Sequence, residues 1–132
     1  MLGNQIGEMK GKRSARRVLS TNPPRVEVSF EDAGTLLGIA ATGMGTYESE
    51  MQPDGTLFGQ GQGITFSAEG DAVTWKGSAV GKLGAGGTVS YRGMLFFRSA
   101  SAKFAALNSV GGAFEYEVDA EGNGLAKMWE WK

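Results

Sequence analysis

Two pairs of carboxylates at alternate positions have the spacing that chemistry could use: Glu48 with Glu50, and Glu115 with Glu117. Residues two apart on a strand share a face. Two such acids held in a barrel lumen repel, so one keeps its proton and can act as an acid. For the second pair the local pattern argues otherwise. Phe114, Tyr116 and Val118 alternate with Glu115, Glu117 and Asp119, so the apolar set takes the core and the acids face water. For the first pair the Gly43-Met44-Gly45 break could turn a following side chain inward. Tyr47 and Glu48 are therefore the candidate proton donors.

Much other chemistry is excluded by composition. The chain has no Cys and no His, which removes thiolate nucleophiles, Ser-His-Asp and Cys-His systems, and thiolate or imidazole metal sites. Glycine motifs for nucleotides fail in detail. Gly59-Gln60-Gly61-Gln62-Gly63 is not GxGxxG and has no helix after it, and Gly81-Lys82 lacks the Ser or Thr of a phosphate loop. Neither a cofactor nor a metal is expected.

A binding site is the remaining possibility. Trp75, Tyr91, Tyr116 and Trp129 lie in strand-like segments, where aromatics first of all build the core. Their polar tips need partners when buried, and a lumen lined by them would suit a small apolar ligand. Asn108, in an irregular stretch before Gly111, either caps a turn or lines a barrel mouth, with capping the better-founded role.

The elements that would position these residues are strands. Turn signals punctuate the chain at Asn22-Pro23-Pro24, Asp32-Ala33-Gly34, Pro53-Asp54-Gly55, Glu69-Gly70-Asp71, Gly84 to Gly87, Gly111-Gly112 and Gly122-Asn123-Gly124. Strands follow at about 9–20, 25–30, 35–52, 56–67, 72–82, 88–99, 113–119 and 124–131, with one short helical turn near 100–107. Leu125, Lys127, Trp129 and Trp131 share one face of the last strand. Val73-Thr74-Trp75-Lys76-Gly77 and Val89-Ser90-Tyr91-Arg92-Gly93 are near copies and read as the two arms of a hairpin. Ten glycines fall in the interior of these segments, among them Gly43, Gly45, Gly59, Gly61, Gly63 and Gly81. Each costs roughly 0.5–1 kcal/mol relative to Ala, so they must serve bending or close approach. Gly59, Gly61 and Gly63 share a face and leave room for neighbouring rings or for a ligand. The expected fold is all-β, a closed antiparallel barrel of about eight strands. Residues 1–8 are expected to be a loosely held tail and 9–132 one domain.

The chain is 41% apolar and 20% charged, a globular composition rather than a disordered one. No apolar run is long enough to span a membrane as a helix; the absence of a visible secretory signal and of Cys points to the cytoplasm. Net charge is −1, but Lys10, Lys12, Arg13, Arg16, Arg17 and Arg25 crowd the first 25 residues. A solvated first strand explains them better than a nucleic-acid arm, because the rest of the chain is acidic and would repel phosphates.

Trp75-Lys76-Gly77, Tyr91-Arg92-Gly93, Leu107-Asn108, Phe114 to Asp119 and Trp129-Glu130-Trp131-Lys132 together resemble small uncharacterised bacterial proteins of the allene oxide cyclase-like barrel type. The resemblance covers about half of the chain, and none of these motifs is catalytic. It implies a closed antiparallel barrel, often self-associated. The wider fold includes plant allene oxide cyclases, dirigent proteins and polyketide cyclases, which steer reactive apolar substrates by pocket shape. Three readings stay open: a barrel binding a small apolar molecule, a cofactor-independent cyclase or isomerase, and a structural or partner-binding module.

Overall fold

The computed structural model describes residues 1–132. Eight strands follow one another in sequence and in space: β1 (Leu2–Thr21), β2 (Pro24–Leu36), β3 (Ile39–Met51), β4 (Leu57–Ser67), β5 (Ala72–Leu83), β6 (Val89–Arg98), β7 (Gly111–Val118) and β8 (Asn123–Trp131). Each pairs antiparallel with the next, and β8 pairs with β1, so the sheet closes into a barrel. A 3-10 helix, Ala102–Ser109, links β6 to β7. No helix is long and apolar enough to cross a membrane.

The expected architecture is present, with three differences in its parts. The residues thought to trail loosely before position 9 begin β1, and Gly7 and Met9 pair with Met128 and Ala126 of β8. Met9 is buried, and closure of the barrel takes up this stretch. The strand expected over 35–52 is divided, because the hairpin turns at Leu37-Gly38 rather than at Asp32-Ala33-Gly34. Leu37 and Gly38 have φ of 52° and 75°, the pair of positive values that a two-residue hairpin turn requires. Leucine gives no turn signal. Its strained backbone is offset by packing of its side chain on the core and by a hydrogen bond from its N–H to the Ile6 carbonyl at 2.8 Å. Gly34 is not a turn residue but a close approach: a Cβ there would meet Met9 Cα at 2.9 Å. No break occurs at Gly43 to Gly45 either, where β3 pairs with both neighbours in unbroken register. The irregularities fall in β1, which shifts register against β2 after Arg13 and after Val18.

The two ends of the barrel differ. The 3-10 helix, the chain termini and the Leu37-Gly38 turn lie at one end. Phe104 and Leu107 of the helix are almost fully buried there, against Ile6, Leu36, Val73, Phe97 and Met128. Burial of side chains of this size is worth about 1.5–3 kcal/mol each, so the helix is a plug. The opposite end carries only short connections: 22–23, 52–56, 84–88 with a single 3-10 turn at Ala85–Gly87, and 119–122. There β1 runs on past its last β8 pairing at Lys12 with β2 alone beside it, while β2 stays paired with β3, so this stretch is a free edge that displays Arg16 and Arg17 to solvent.

Candidate functional site

Between the plug and the turns lies an aromatic lumen. Phe30 (β2), Tyr47 (β3), Trp75 (β5), Tyr91 (β6) and Tyr116 (β7) point inward and touch in series. Phe30 lies 6.1 Å from Tyr47, 6.3 Å from Trp75 and 6.1 Å from Tyr116, centroid to centroid. Tyr47 meets Tyr91 edge-on at 5.7 Å, and Tyr91 stacks on Tyr116 at 6.2 Å. Strand glycines make the room. A Cβ on Gly63 would overlap the Trp75 indole, one on Gly45 would sit 2.6 Å from Phe30 Cζ, and one on Gly81 2.7 Å from Tyr91 Cε1. An eight-stranded barrel is just wide enough for its own side chains, and here they fill most of it. A cavity of about 100 Å³ remains, bordered by these rings and by Asp32, Thr65, Leu95 and Met128.

Asp32 is the residue that sequence reasoning missed. It faces the cavity from β2, between Gly11 of β1 and Gly43 of β3 in register. Both neighbours lack side chains. A Cβ on Gly43 would lie 2.7 Å from Asp32 Oδ1 and 2.9 Å from Thr65 Oγ1, and one on Gly11 2.7 Å from Asp32 Cβ. Asp32 Oδ1 is fully buried and has no hydrogen-bond partner. Burial pushes this carboxyl up to about 6. The signal was present in the parity of Phe30, Asp32, Gly34 and Leu36, but reading Asp32-Ala33-Gly34 as a turn ended the strand too soon.

The tyrosines are held neutral. Burial raises the Tyr47 phenol far above its ordinary value, and Tyr91 and Tyr116 nearby add to the effect. Burial also raises Tyr91, whose hydroxyl donates to Ser49 Oγ at 2.8 Å. Tyr116 is pushed up to about 12, first by burial and then by the charge of Asp32. These phenols can donate hydrogen bonds at neutral pH but cannot serve as bases.

The other residues singled out in the sequence lie elsewhere. Glu48 follows inward-facing Tyr47 and so faces outward, exposed, 4.0 Å from Arg25. It is not brought to the lumen, because β3 has no bulge to re-aim it. Glu115 and Glu117 are also outside, 3.6 and 2.8 Å from Arg92. Trp129 is half-buried on the outer face, because its neighbours Ala126 and Met128 set the inward parity of β8. Asn108 caps: its Oδ1 accepts from the Ser99 N–H at 2.8 Å and its Nδ2 donates to the Ser99 carbonyl at 2.9 Å. Of the seven candidates, Tyr47, Trp75, Tyr91 and Tyr116 therefore meet at the lumen, and Glu48, Asn108 and Trp129 do not.

No protein-family model matches the chain, and no curated protein matches it. Solved structures do. A protein of unknown function from Clostridium acetobutylicum ATCC 824 superposes with a TM-score of 0.85 at 10% identity, over 98% of this chain and 99% of that one. A beta-barrel like protein from Acinetobacter baumannii AYE gives 0.83 at 9% identity, over 100% and 96%. An enzyme from Penicillium herquei gives 0.64 at 14% identity, over 98% and 96%. Identities this low carry the fold and nothing further. The chain is thus similar to small β-barrel proteins whose role is itself unassigned.

Proposed function

We propose that the barrel holds a small, largely apolar molecule in its lumen. The observation that carries this reading is the residual cavity of about 100 Å³ walled by Phe30, Tyr47, Trp75, Tyr91 and Tyr116. An engineered apolar cavity of about 150 Å³ stays dry and takes benzene, so the occupant here is of similar size or smaller unless side chains shift. Native mass spectrometry of the purified protein, together with thermal unfolding in the presence of benzene, tests the reading. A retained small molecule, or a rise in melting temperature with benzene, is expected. A bare mass with no stabilisation would sink it.

A second reading is a cofactor-independent cyclase or isomerase. It is supported by the titratable carboxyl of Asp32 in the same cavity, by the resemblance to allene oxide cyclase-like barrels, and by the neighbour from Penicillium herquei being an enzyme. In this reading Asp32 moves the proton, and Tyr47 or Tyr116 donates a hydrogen bond to the developing oxyanion. Self-association belongs to the proposal as well. Leu2, Met94, Phe96, Trp129 and Trp131 form one apolar strip across the outside of β1, β8, β7 and β6, with Phe96 60% and Trp131 57% exposed. The same native spectrum reports the subunit count.

A further inference from the structure

The lumen contains a carboxyl group that the protein does not satisfy. Desolvating an unpaired carboxylate is costly, and buried polar groups are rarely left without partners. Asp32 Oδ1 is buried with none. Its surroundings explain why. Gly11 and Gly43 flank it in register and offer no side chain, and Thr65, the polar group across Gly43, makes no hydrogen bond to it. The charged side chain at the next inward position is Arg13, which pairs in register with Phe30; its guanidinium lies against Gly122 in the 119–122 turn, where its charge reaches the Tyr47 and Tyr116 phenols but makes no hydrogen bond to Asp32. The remaining titratable groups facing the cavity are the phenols of Tyr47, Tyr91 and Tyr116.

We infer that Asp32 is the anchor for a cationic ligand, so that the molecule held in the lumen is a small apolar amine whose ammonium pairs with this carboxylate against the aromatic wall. The inference rests on the lumen reading above and narrows it. A protonated amine supplies both things that the carboxyl lacks, a hydrogen-bond donor and an opposite charge; it meets the group from the cavity at Oδ2, since Oδ1 has no surface open even to water. Charge-assisted hydrogen bonds of this kind are about twice as strong as neutral ones. The rings add to the fit, because the faces of Trp and Tyr attract an ammonium within about 6 Å, most strongly when it is desolvated. A neutral alcohol would gain the hydrogen bond alone, and a purely apolar molecule would gain neither.

Three probes of similar bulk separate the possibilities by calorimetric titration: isobutylamine, isobutanol and benzene. At pH 8, where Asp32 is ionised, isobutylamine should bind at least tenfold more tightly than isobutanol. At pH 5, where the empty site is mostly protonated, that advantage should fall several-fold. Asp32→Asn should abolish the preference for the amine while benzene still binds, which shows that the variant has kept its cavity. Glu48→Gln, on the outer surface, should change none of the three affinities. Benzene binding with no preference for isobutylamine over isobutanol overturns the inference and leaves the lumen reading standing. A preference for the amine that survives in Asp32→Asn also overturns it. If that variant fails to fold, the pH 5 and pH 8 titrations of the unaltered protein decide: an advantage that does not change with pH refutes Asp32 as the anchor. Failure of all three probes to bind counts against the lumen reading itself.

Discussion

Asp32→Asn should change how stability depends on pH, and the size of the change follows from the burial of the carboxyl. Its value of about 6 in the folded protein stands against an ordinary 3.8. The difference of roughly 2 pH units corresponds to about 3 kcal/mol at 1.36 kcal/mol per unit. The folded state holds this proton more tightly than the unfolded chain does. The group's contribution is therefore fully present below pH 3.8 and is lost as pH rises through 6. Asparagine cannot ionise, so the variant has no such loss. The stability of Asp32→Asn relative to the unaltered protein should rise by about 2–2.5 kcal/mol between pH 4 and pH 8, the rest of the difference lying below pH 4. Asp54, Asp71 and Asp119 are lowered by their hydrogen bonds to Thr56, Ser67 and Asn123, so they act below pH 4 and in the same way in both proteins. Urea unfolding followed by circular dichroism at half-unit steps of pH measures the difference directly. Parallel curves across this range would refute the assignment of an unpaired, desolvated carboxyl to the lumen.

Other substitutions probe the packing that shapes the site. Gly63→Val places carbon where the Trp75 indole lies and should cost about 1–3 kcal/mol or more by urea denaturation; adding Trp75→Leu should restore part of that loss. Phe104→Ala opens the plugged end at a fully buried ring and should destabilise by about 3–5 kcal/mol in the same assay. Asn108→Ala removes both hydrogen bonds to Ser99. It should cost about 1–3 kcal/mol and, on the capping role, leave ligand affinity unchanged.

The barrel was legible in the sequence because its signals are local. Alternation in Phe114 to Asp119, the Pro53-Asp54-Gly55 turn and the paired Trp75 and Tyr91 segments each specify a strand or its end. The short helical turn near 100–107 was legible for the same reason. What could not be read was set by partners distant in sequence. The first eight residues show no strand pattern of their own and are ordered by β8, more than a hundred residues away. Leu37 adopts a positive φ because the core holds its side chain, not because leucine favours a turn. The site divided along the same line. Tyr47, Trp75, Tyr91 and Tyr116 are inward by strand parity, whereas the parity of Glu48 and Trp129 hangs on whether β3 bulges and on which face of β8 turns in. Asp32 was hidden because Asp, Ala and Gly in succession resemble a turn, and only the register with Gly11 and Gly43 shows a strand passing through.

The placement of the three indoles has a practical consequence. Trp75 sits inside beside Phe30, while Trp129 and Trp131 lie on the outer wall. Replacing the two outer ones with phenylalanine would leave a single emitter embedded where an occupant must press against it. The colour and brightness of that emission would then respond to any molecule that enters the interior, in real time and without a label.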